Sequence, residues 1–291
     1  MPTINFTPTA NNAYLSPAKL NLMLKVVGKR ADGYHLLETV FCLIDLCDTL
    51  YLQARDDGKI VLHNPQTGIP PENDLTVRAA LALQRFSGCT KGVDIYIDKK
   101  IPMGGGLGGG SSNAATVLMV LNHLWACGLN RQTLIEIGTQ LGADVPFFIF
   151  GKTAFATGIG EKLTPLPIDL PHFVIIHPNI AVSTQEIFSH FVLTSSNNPI
   201  KIDRLTESIP LINDLQNIAV MRYPEIAHAL AVLQQYGDKA LMTGSGSCVF
   251  LQVENGEKAQ HIAAEIQTAH PEYSVWAAKG LPQHPLANLL P

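Results

Sequence analysis

Apolar and polar residues alternate in the first patterned stretch of the chain, which begins at Ser16. Side chains two positions apart lie on the same face of a strand. One face is therefore apolar and the other polar: the apolar residues are Leu20, Leu22, Leu24 and Val26, and the polar ones are Lys19, Asn21 and Lys25. This pattern predicts a half-buried strand. The Asp32-Gly33 pair then predicts a turn, and the apolar run at residues 36–46 predicts that the chain continues as a second strand.

A glycine-rich segment follows the next predicted strand, in which residues 93–97 again alternate between apolar and polar. Six of the seven residues at 104–110 are glycines, and a largely apolar run without glycine or proline follows. This order predicts a loop that leads into the N-terminus of a helix, capped by Ser111, Ser112 or Asn113. Further along the chain, the pattern predicts a helix over residues 131–141 and a strand over residues 147–150.

The pattern changes over residues 151–171, where glycines and three prolines interrupt it. We place a domain boundary here, with an N-terminal domain at residues 1–160 and a C-terminal domain at residues 161–291. Beyond the boundary, Ser183 and Glu186 have the spacing of a capping box at the start of a helix. The remaining pattern predicts helices at 224–235 and 256–269, and strands at 173–176, 240–242, 248–253 and 273–277.

The composition is that of a folded protein with a sizeable core. The chain has 291 residues, of which 46% are hydrophobic and 15% charged, which suits one large domain or two smaller ones. Its 20 basic and 24 acidic residues give a net charge of −4. A nucleic-acid or membrane-surface binder needs a basic surface, so neither partner is expected. Any anionic ligand must be held by a few local groups.

The cysteine and histidine patterns point away from disulfides and metal centres. The five cysteines are odd in number and lack a C-x-x-C spacing, which is typical of a reduced, cytosolic protein. The ten histidines show no metal-binding spacing such as H-E-x-x-H. No stretch has the length and apolarity of a membrane helix. We expect a soluble, cytoplasmic protein, and the sequence leaves its oligomeric state undetermined.

The glycine segment at residues 104–110 has a chemical use. Glycine costs backbone entropy, so six of them indicate a need for conformational freedom or for close approach. A loop without side chains at a helix N-terminus exposes backbone N–H groups beside the positive end of the helix dipole, which suits a polyphosphate. A flexible linker is the alternative, but linkers are rarely flanked on both sides by apolar elements.

Two familiar phosphate-binding motifs match this segment only in part. Gly104, Gly106 and Gly109 satisfy the G-x-G-x-x-G pattern of dinucleotide-binding oxidoreductases. That motif also needs an acidic residue about 20 positions later to bind the ribose, and residues 99–135 contain none. The spacing of a P-loop is present too, but Gly110 stands where that motif has its lysine.

Four segments resemble motifs of a known family. Residues 102–115 resemble the second motif of the GHMP kinases, the family of galactokinase, homoserine kinase, mevalonate kinase and phosphomevalonate kinase. Three further segments resemble motifs of one branch of that family: residues 17–22 together with 33–41, residues 141–148, and residues 243–250. The resemblance covers residues 14–253. It implies an α+β fold of two domains, an N-terminal ATP-binding domain and a C-terminal domain, with the active site in the cleft between them.

The branch resembled implies a specific reaction. This is the ATP-dependent phosphorylation of the 2-hydroxyl of 4-diphosphocytidyl-2-C-methyl-D-erythritol, a step of non-mevalonate isoprenoid precursor biosynthesis. ATP and Mg²⁺ are the implied cofactors, and no acidic cluster in the sequence identifies metal ligands. The alternatives are another small-molecule kinase of the same family, an inactive binding protein with the same fold, and, less favoured, a nucleotide-dependent oxidoreductase.

Two charged residues are the candidate catalytic pair. Asp144 has the chemistry of a base for the acceptor hydroxyl, and its position between Gly142 and Pro146 is equally typical of a helix or turn cap. The resemblance favours the catalytic role. Lys19 is the matching cation, which would keep Asp144 ionised or bind phosphoryl oxygens, although an isolated strand lysine is more often simply solvated. We expect the two side chains to lie within hydrogen-bonding reach.

The resemblance also implies residues for both ligands. Asn21 shares a face with Lys19, and Tyr34 and His35 follow the predicted turn, where an aromatic ring can stack on a pyrimidine. Phe188 is the best-matched ring to oppose Tyr34, and Thr184 is a weaker candidate. The loop at residues 243–247 is either a simple hairpin turn or a support of the glycine loop. The residues assigned to ATP are Asn73, Lys99, Pro102, Met103, Gly104, Gly105, Gly106, Leu107, Gly108, Gly109, Gly110, Ser111 and Ser112.

Overall fold

A long antiparallel hairpin opens the fold. The computed structural model describes residues 8–66, 68–193, 205 and 209–290. Strand β1 (Ala13–Lys29) pairs with β2 (His35–Arg55). The predicted turn between them is confirmed: the amide of Gly33 donates to the carbonyl of Arg30 at 3.0 Å, and Gly33 has a φ of +90°.

The hairpin belongs to the first of two sheets. Its strand order is β3 (Ile60–Leu62), β4 (Gly92–Asp98), β2, β5 (Ala154–Thr157) and β6 (Lys162–Pro165), with β1 also paired to β2. Four helices pack with this sheet in one apolar core: α1 (Leu75–Ser87), α2 (Gly109–Leu124), α3 (Arg131–Thr139) and α4 (Val145–Phe150). The apolar run that follows the glycine loop therefore forms a central buried helix of this core.

The second sheet lies in the C-terminal part of the chain. Its order is β10 (Ser274–Lys279), β7 (His172–His177), β9 (Val249–Val253) and β8 (Ala240–Met242). The structure describes these helices in this part: α5 (Thr184–Ser189), α6 (Gln216–Arg222), α7 (Pro224–Gln234) and α8 (Gly256–Ala269). They share a second apolar core with the sheet. The predicted starts at Pro224 and after Asn255 are confirmed, since Asn255 caps α8 by accepting from the amide of Lys258.

Strand β1 joins the two parts of the molecule. Leu20 and Met23 pack with Phe173 and Phe250 of the second sheet in a third apolar core, while the strand remains paired to β2. The prediction of a half-buried strand is therefore wrong. Because partners cover both faces in the middle of β1, two of its polar residues are buried as well: Lys19 and Asn21 each expose only 3% of their surface, whereas Lys25 is partly exposed. Burial of a lysine at the junction of two sheets calls for a partner.

The two halves are not consecutive in sequence. Strand β6 pairs with β5, so the first sheet continues beyond residue 160, and the sheets separate between β6 and β7. The last residues return to the first sheet: the amide of Leu281 donates to the carbonyl of Leu43 at 2.8 Å, and Leu290 lies in the first core. Local patterning cannot show such a return, because the packing partners are distant in sequence.

Three element predictions need correction. Residues 147–150 form part of α4 instead of a strand, since a short run that is apolar at every position shows no period and Pro146 starts the helix. Helix α2 begins at Gly109 with Gly108 as its N-cap, earlier than Ser111, Ser112 or Asn113. Helix α3 ends at Thr139. In the part of the chain that the structure describes, no helix has the length and apolarity to cross a membrane.

Candidate active site

A cavity of about 420 Å³ lies where β1, the glycine loop and the second sheet meet. Residues far apart in sequence line it. The first sheet contributes Lys19, Asn21 and Phe41, and the glycine loop contributes residues 102–110. The starts of α1 and α4 contribute Asn73 and Asp144, and the C-terminal part contributes Thr184, Phe188, Gly244 and Ser245. Both halves of the molecule are therefore needed to enclose the site.

The glycine loop is held between β1 and the turn at residues 243–247. The amide of Lys19 donates to the carbonyl of Leu107 at 3.0 Å, and the amide of Cys248 donates to the carbonyl of Gly105 at 3.1 Å. The turn thus lies against the glycine loop, as the resemblance implied, and is more than a hairpin connection. Such backbone contacts fix a loop that has almost no side chains of its own.

Two of the glycines are required by close approach as well as by backbone conformation. Gly106 has a φ of +75°, and a Cβ atom there would lie 2.4 Å from the carbonyl oxygen of Thr243. Gly108 has a φ of +72°, and a Cβ atom there would lie 2.9 Å from the ring of Phe148 and 3.2 Å from Cε of Lys19. Any side chain at these positions is strained and displaces its neighbours. The loop therefore contacts the candidate catalytic lysine directly.

Lys19 and Asp144 lie next to each other on the cavity wall. Lys19 Nζ lies 3.6 Å from Asp144 Oδ2, and the Asp144 side chain is one-third exposed. The Asp144 carboxylate precedes α4 but makes no capping hydrogen bond. Asp144 therefore occupies the N-cap position of α4 without capping it through its side chain, and it lines the cavity. The expected hydrogen-bonding reach is just exceeded, since 3.6 Å is an ion-pair distance and longer than a hydrogen bond.

The surroundings of Lys19 act on its charge in opposite directions. Burial lowers the pKa of Lys19 below its ordinary value, and the nearby Asp144 carboxylate offsets part of this effect. The ammonium group also lies 5.2 Å from the centroid of the Phe41 ring, within the range of a cation–π contact. Sequence patterning placed Phe41 in an apolar strand and did not identify it as a site residue, because only the tertiary fold brings its ring to Lys19.

Helix α5 forms part of the cavity wall. Ser183 caps the helix by accepting from the amide of Glu186 at 3.3 Å. The capping box is only half formed, because the Glu186 carboxylate binds Arg222 and Tyr223 of the neighbouring helices instead of the Ser183 amide. These contacts lower the pKa of Glu186. At the helix start, Thr184 Oγ1 lies 2.9 Å from Ser245 Oγ, which ties α5 to the turn at residues 243–247.

The aromatic contact across the cleft differs from the implied one. The ring of His35 stacks on Phe188, with centroids 5.2 Å apart and an interplanar angle of 29°. Tyr34 is 61% exposed, and neither Tyr34 nor His35 is among the residues that line the cavity. The structure therefore brings His35, and not Tyr34, to Phe188. Burial and nearby Lys29 lower the pKa of His35.

The residues assigned to ATP divide into two groups. Lys99 and Asn73 line the cavity together with residues 102–110. Lys99 Nζ is held 2.6 Å from Oδ2 of Asp48, a buried carboxylate that the motifs did not identify. Ser111 and Ser112 do not line the cavity. The Ser112 hydroxyl donates to the carbonyl of Pro17 at 2.6 Å, because its position in the first turn of α2 points it towards β1.

Comparisons with known proteins concern the family and the fold of the chain. The family model described as the GHMP kinases N terminal domain matches residues 74–152, and the model described as GHMP kinases C terminal matches residues 200–272. A 4-diphosphocytidyl-2-C-methyl-D-erythritol kinase of Neisseria meningitidis serogroup C is 50% identical over 277 residues, which are 95% of this chain and 97% of the relative. A kinase of the same name from Chromobacterium violaceum is 52% identical, over 94% of this chain and 96% of the relative.

Solved structures show the same fold. The crystal structure of a 4-(cytidine 5'-diphospho)-2C-methyl-D-erythritol kinase superimposes with a TM-score of 0.81 at 32% identity, covering 92% of this chain and 98% of the other. The mevalonate kinase of Methanococcus jannaschii superimposes with a TM-score of 0.67 at 16% identity, covering 96% of this chain and 100% of the other. At that identity the second likeness concerns the fold alone. The predicted α+β fold with two GHMP domains is confirmed.

Proposed function

Because this chain belongs to the GHMP kinases, and within them to the 4-diphosphocytidyl-2-C-methyl-D-erythritol kinases, we propose that it phosphorylates the substrate in that name. The chain is a kinase of small molecules. The γ-phosphoryl group of ATP goes to the 2-hydroxyl of 4-diphosphocytidyl-2-C-methyl-D-erythritol, and ADP is released. The product serves isoprenoid precursor biosynthesis.

The glycine loop is the proposed site of the ATP phosphates. Its backbone N–H groups lie at the N-terminus of α2, a helix of 16 residues, where the helix dipole favours negative charge. Lys99 on the same wall adds a cation, and Asn73 at the start of α1 lies where the nucleoside would extend. This local supply of donors explains how a chain with a net charge of −4 binds a polyanion.

The transfer itself is assigned to Asp144 and Lys19. Asp144 accepts the proton of the 2-hydroxyl as that oxygen bonds to the γ-phosphorus, and the bond from phosphorus to the bridging oxygen breaks. Lys19 stabilises the negative charge on the transferring group and keeps Asp144 ionised. The 3.6 Å distance between Lys19 Nζ and Asp144 Oδ2, on the cavity wall beside the glycine loop, is the observation that most supports this assignment.

The acceptor substrate is assigned to the side of the cavity formed by α5. Thr184 and Phe188 line this side, and the contact of Phe188 with His35 closes it. We propose that the cytosine ring binds at this aromatic pair, since pyrimidines stack on flat rings. Asn21, which the resemblance assigns to this substrate, lines the same wall as Lys19 and binds its ammonium group, so its proposed place is beside the reacting hydroxyl.

Magnesium is proposed to enter as part of the nucleotide substrate. Within the described ranges, no group of three or more His, Cys, Asp or Glu side chains is arranged to hold a metal ion. Mg²⁺ usually keeps several waters and binds to substrate phosphates with one or two carboxylates. Phosphate oxygens of ATP and water would therefore supply most of its ligands, and Asp144 keeps its assigned role as the base.

The assay that tests the proposal compares acceptors. ADP formation from ATP is measured with 4-diphosphocytidyl-2-C-methyl-D-erythritol, and in parallel with mevalonate, homoserine and galactose. We expect turnover with the cytidylyl substrate only, because the aromatic pair at α5 has no role for the three smaller acceptors. Turnover of one of those three, without turnover of the cytidylyl substrate, would overturn the substrate assignment and leave the kinase family intact.

A further inference from the structure

The Asn21 side chain lies between two groups that need different ends of its amide. Lys19 Nζ is 2.6 Å from Asn21 Oδ1, and Asn21 Nδ2 is 2.8 Å from Thr39 Oγ1. An ammonium group can only donate hydrogen bonds, so it requires the amide oxygen. Thr39 is a residue of β2 that does not line the cavity, and none of its surface is exposed.

The hydroxyl of Thr39 determines which end of the amide it can bind. Its oxygen lies 2.5 Å from the carbonyl oxygen of Met23, which is an acceptor only, so the single hydroxyl proton is committed to that carbonyl. Towards Asn21, the Thr39 oxygen can therefore only accept a hydrogen bond. The amide nitrogen of Asn21 must face Thr39, and the amide oxygen is left to face Lys19.

Rotating the amide by half a turn would create two mismatches in a buried region. The NH₂ group of Asn21 would face the Lys19 ammonium, donor against donor, and the amide oxygen would face the lone pairs of Thr39. Each unmade hydrogen bond of a buried polar group costs about 1–3 kcal/mol. At Thr39, which lies outside the cavity and exposes none of its surface, water cannot replace the lost partner.

Thr243 holds the same asparagine from the second sheet. The backbone amide of Asn21 donates to Thr243 Oγ1 at 2.9 Å, and that hydroxyl lies 3.3 Å from Asn21 Oδ1. The hydroxyl oxygen thus accepts from the Asn21 backbone, and its own proton points to the amide oxygen. The orientation set by Thr39 agrees with the one that Thr243 favours.

We propose that Thr39 is a positioning residue of the phosphoryl transfer, acting through Asn21. By accepting from the Asn21 amide nitrogen, Thr39 turns the amide oxygen to the Lys19 ammonium and holds this cation at the cavity wall beside Asp144. The proposal rests on the role of Lys19 proposed above. It assigns to a hydroxyl outside the cavity an effect on the reaction step, and not on the binding of either substrate.

A double-mutant cycle tests this assignment. Thr39→Val, which removes the hydroxyl at nearly constant shape, is combined with Asn21→Ala, and the purified full-length proteins are compared in kcat and in both KM values. We expect Thr39→Val to lower kcat about tenfold, a change of roughly 1.4 kcal/mol, with each KM within about threefold of wild type. In the Asn21→Ala protein, the further substitution of Thr39 should change kcat less than about twofold, because the side-chain amide through which Thr39 acts is already absent.

Three further variants separate this role from simple packing. Thr39→Ser keeps the hydroxyl and should restore kcat to within about threefold of wild type. Thr39→Ala is measured as well, so that the test does not depend on the folding of the valine variant. The matched control is Thr116→Val in α2: Thr116 is equally buried, and no partner for its hydroxyl is found in the described part of the chain. This variant should keep wild-type kinetics.

Specific outcomes would overturn the proposal. Three results would each show a role in packing alone. The kcat losses of Thr39→Val and Asn21→Ala could multiply in full in the double variant, Thr39→Ser could fail to restore kcat, or Thr116→Val could lose as much kcat as Thr39→Val. Failure of the substrate assignment is separable, because it is read from wild-type protein in the acceptor assay. If wild type phosphorylates another alcohol, the same cycle measured with that alcohol still decides the role of Thr39.

Discussion

At the scale of single residues, the site depends on two charges that share one partly buried wall. Lys19 is almost fully enclosed, whereas the Asp144 side chain is one-third exposed. Burial destabilises the charged form of Lys19, and Asp144 and the Asn21 oxygen stabilise it. The protein therefore maintains a poorly solvated cation where the transferring phosphoryl group is proposed to pass, and such cations act strongly on developing charge.

The first prediction concerns Asp144. Asp144→Asn keeps the shape of the side chain and removes its capacity to accept a proton, so we expect kcat to fall by about 10²–10⁴-fold. The KM for ATP should stay within about threefold, because the glycine loop is unchanged. Steady-state ADP release measures both constants, and Asp32→Asn in the exposed turn after β1 is the control. Near-normal kcat in Asp144→Asn would exclude it as the base.

The second prediction is the pH dependence that follows from Lys19. A lysine whose pKa is lowered loses its proton as pH rises through that lowered value, so the stabilising charge is present at lower pH and lost at higher pH. We expect kcat to decline on the alkaline side, below the ordinary lysine pKa of about 10.4. Lys19→Arg should have a lower kcat than wild type, but its kcat should not decline at high pH, because arginine stays protonated. If the kcat of wild type stayed constant up to pH 10, the predicted loss of the Lys19 charge would be contradicted.

At the scale of elements, the glycine loop is a backbone structure shaped by its neighbours. The turn at residues 243–247 and β1 approach it so closely that Gly106 and Gly108 leave no space for a Cβ atom. The sequence predicted the loop and its phosphate chemistry, because six glycines before a helix are a local signal. It did not predict the start of α2 at Gly109, because Ser112, one of the residues that suggested a cap, lies inside the helix and binds the carbonyl of Pro17.

The third prediction separates the two reasons for glycine. Gly106→Ala incurs the strain of a positive φ and also displaces the Thr243 carbonyl, whereas Gly128→Ala has a similar φ of +68° and no atom within 4 Å of the added Cβ. Both variants should lose about 1–2 kcal/mol of unfolding free energy from backbone strain. Only Gly106→Ala should also raise the KM for ATP, by about tenfold or more. Denaturant melts and ATP titrations of kcat measure the two effects.

An equal effect of the two alanine substitutions on the KM for ATP would contradict this interpretation. It would mean that the glycine loop tolerates displacement, and that its contact with the turn at residues 243–247 does not shape the nucleotide site.

At the scale of the whole molecule, the C-terminal residues tie the chain back to the first sheet. The amide of His284 donates to the carbonyl of Gly151 at 2.8 Å, and the His284 side chain is 1% exposed. Burial, with a smaller effect of nearby Arg131, lowers the pKa of His284 to about 3. The imidazole is therefore neutral in the folded protein between about pH 3 and pH 6.5, where the histidine of the unfolded chain binds a proton.

The fourth prediction is the resulting pH dependence of stability. Since the folded pKa is below the unfolded one, the contribution of neutral His284 is complete above pH 6.5 and is lost as pH falls towards 3. Well below pH 6.5 the loss is about 1.4 kcal/mol per pH unit. His284→Asn should melt at a lower temperature than wild type at pH 7.5, and this difference should narrow by pH 5. His261→Asn, at an exposed helix position, is the control.

The melting temperatures of wild type and His284→Asn could instead fall in parallel between pH 7.5 and pH 5. That result would show that the pKa of His284 does not differ between the folded and unfolded protein. The acid sensitivity of the fold would then come from other groups.

The sequence by itself determined the order of most strands and helices, the glycine loop, and the candidate residues of the site. These are local properties, because hydrophobic period, turn residues and glycine content depend on neighbours along the chain. Only the tertiary structure decided that β1 is buried on both faces, that His35 and not Tyr34 stacks on Phe188, and that Thr39 and Thr243 orient Asn21. Each of these depends on contacts between segments distant in sequence, and the hydrogen-bonding needs of buried groups arise only when those segments pack together.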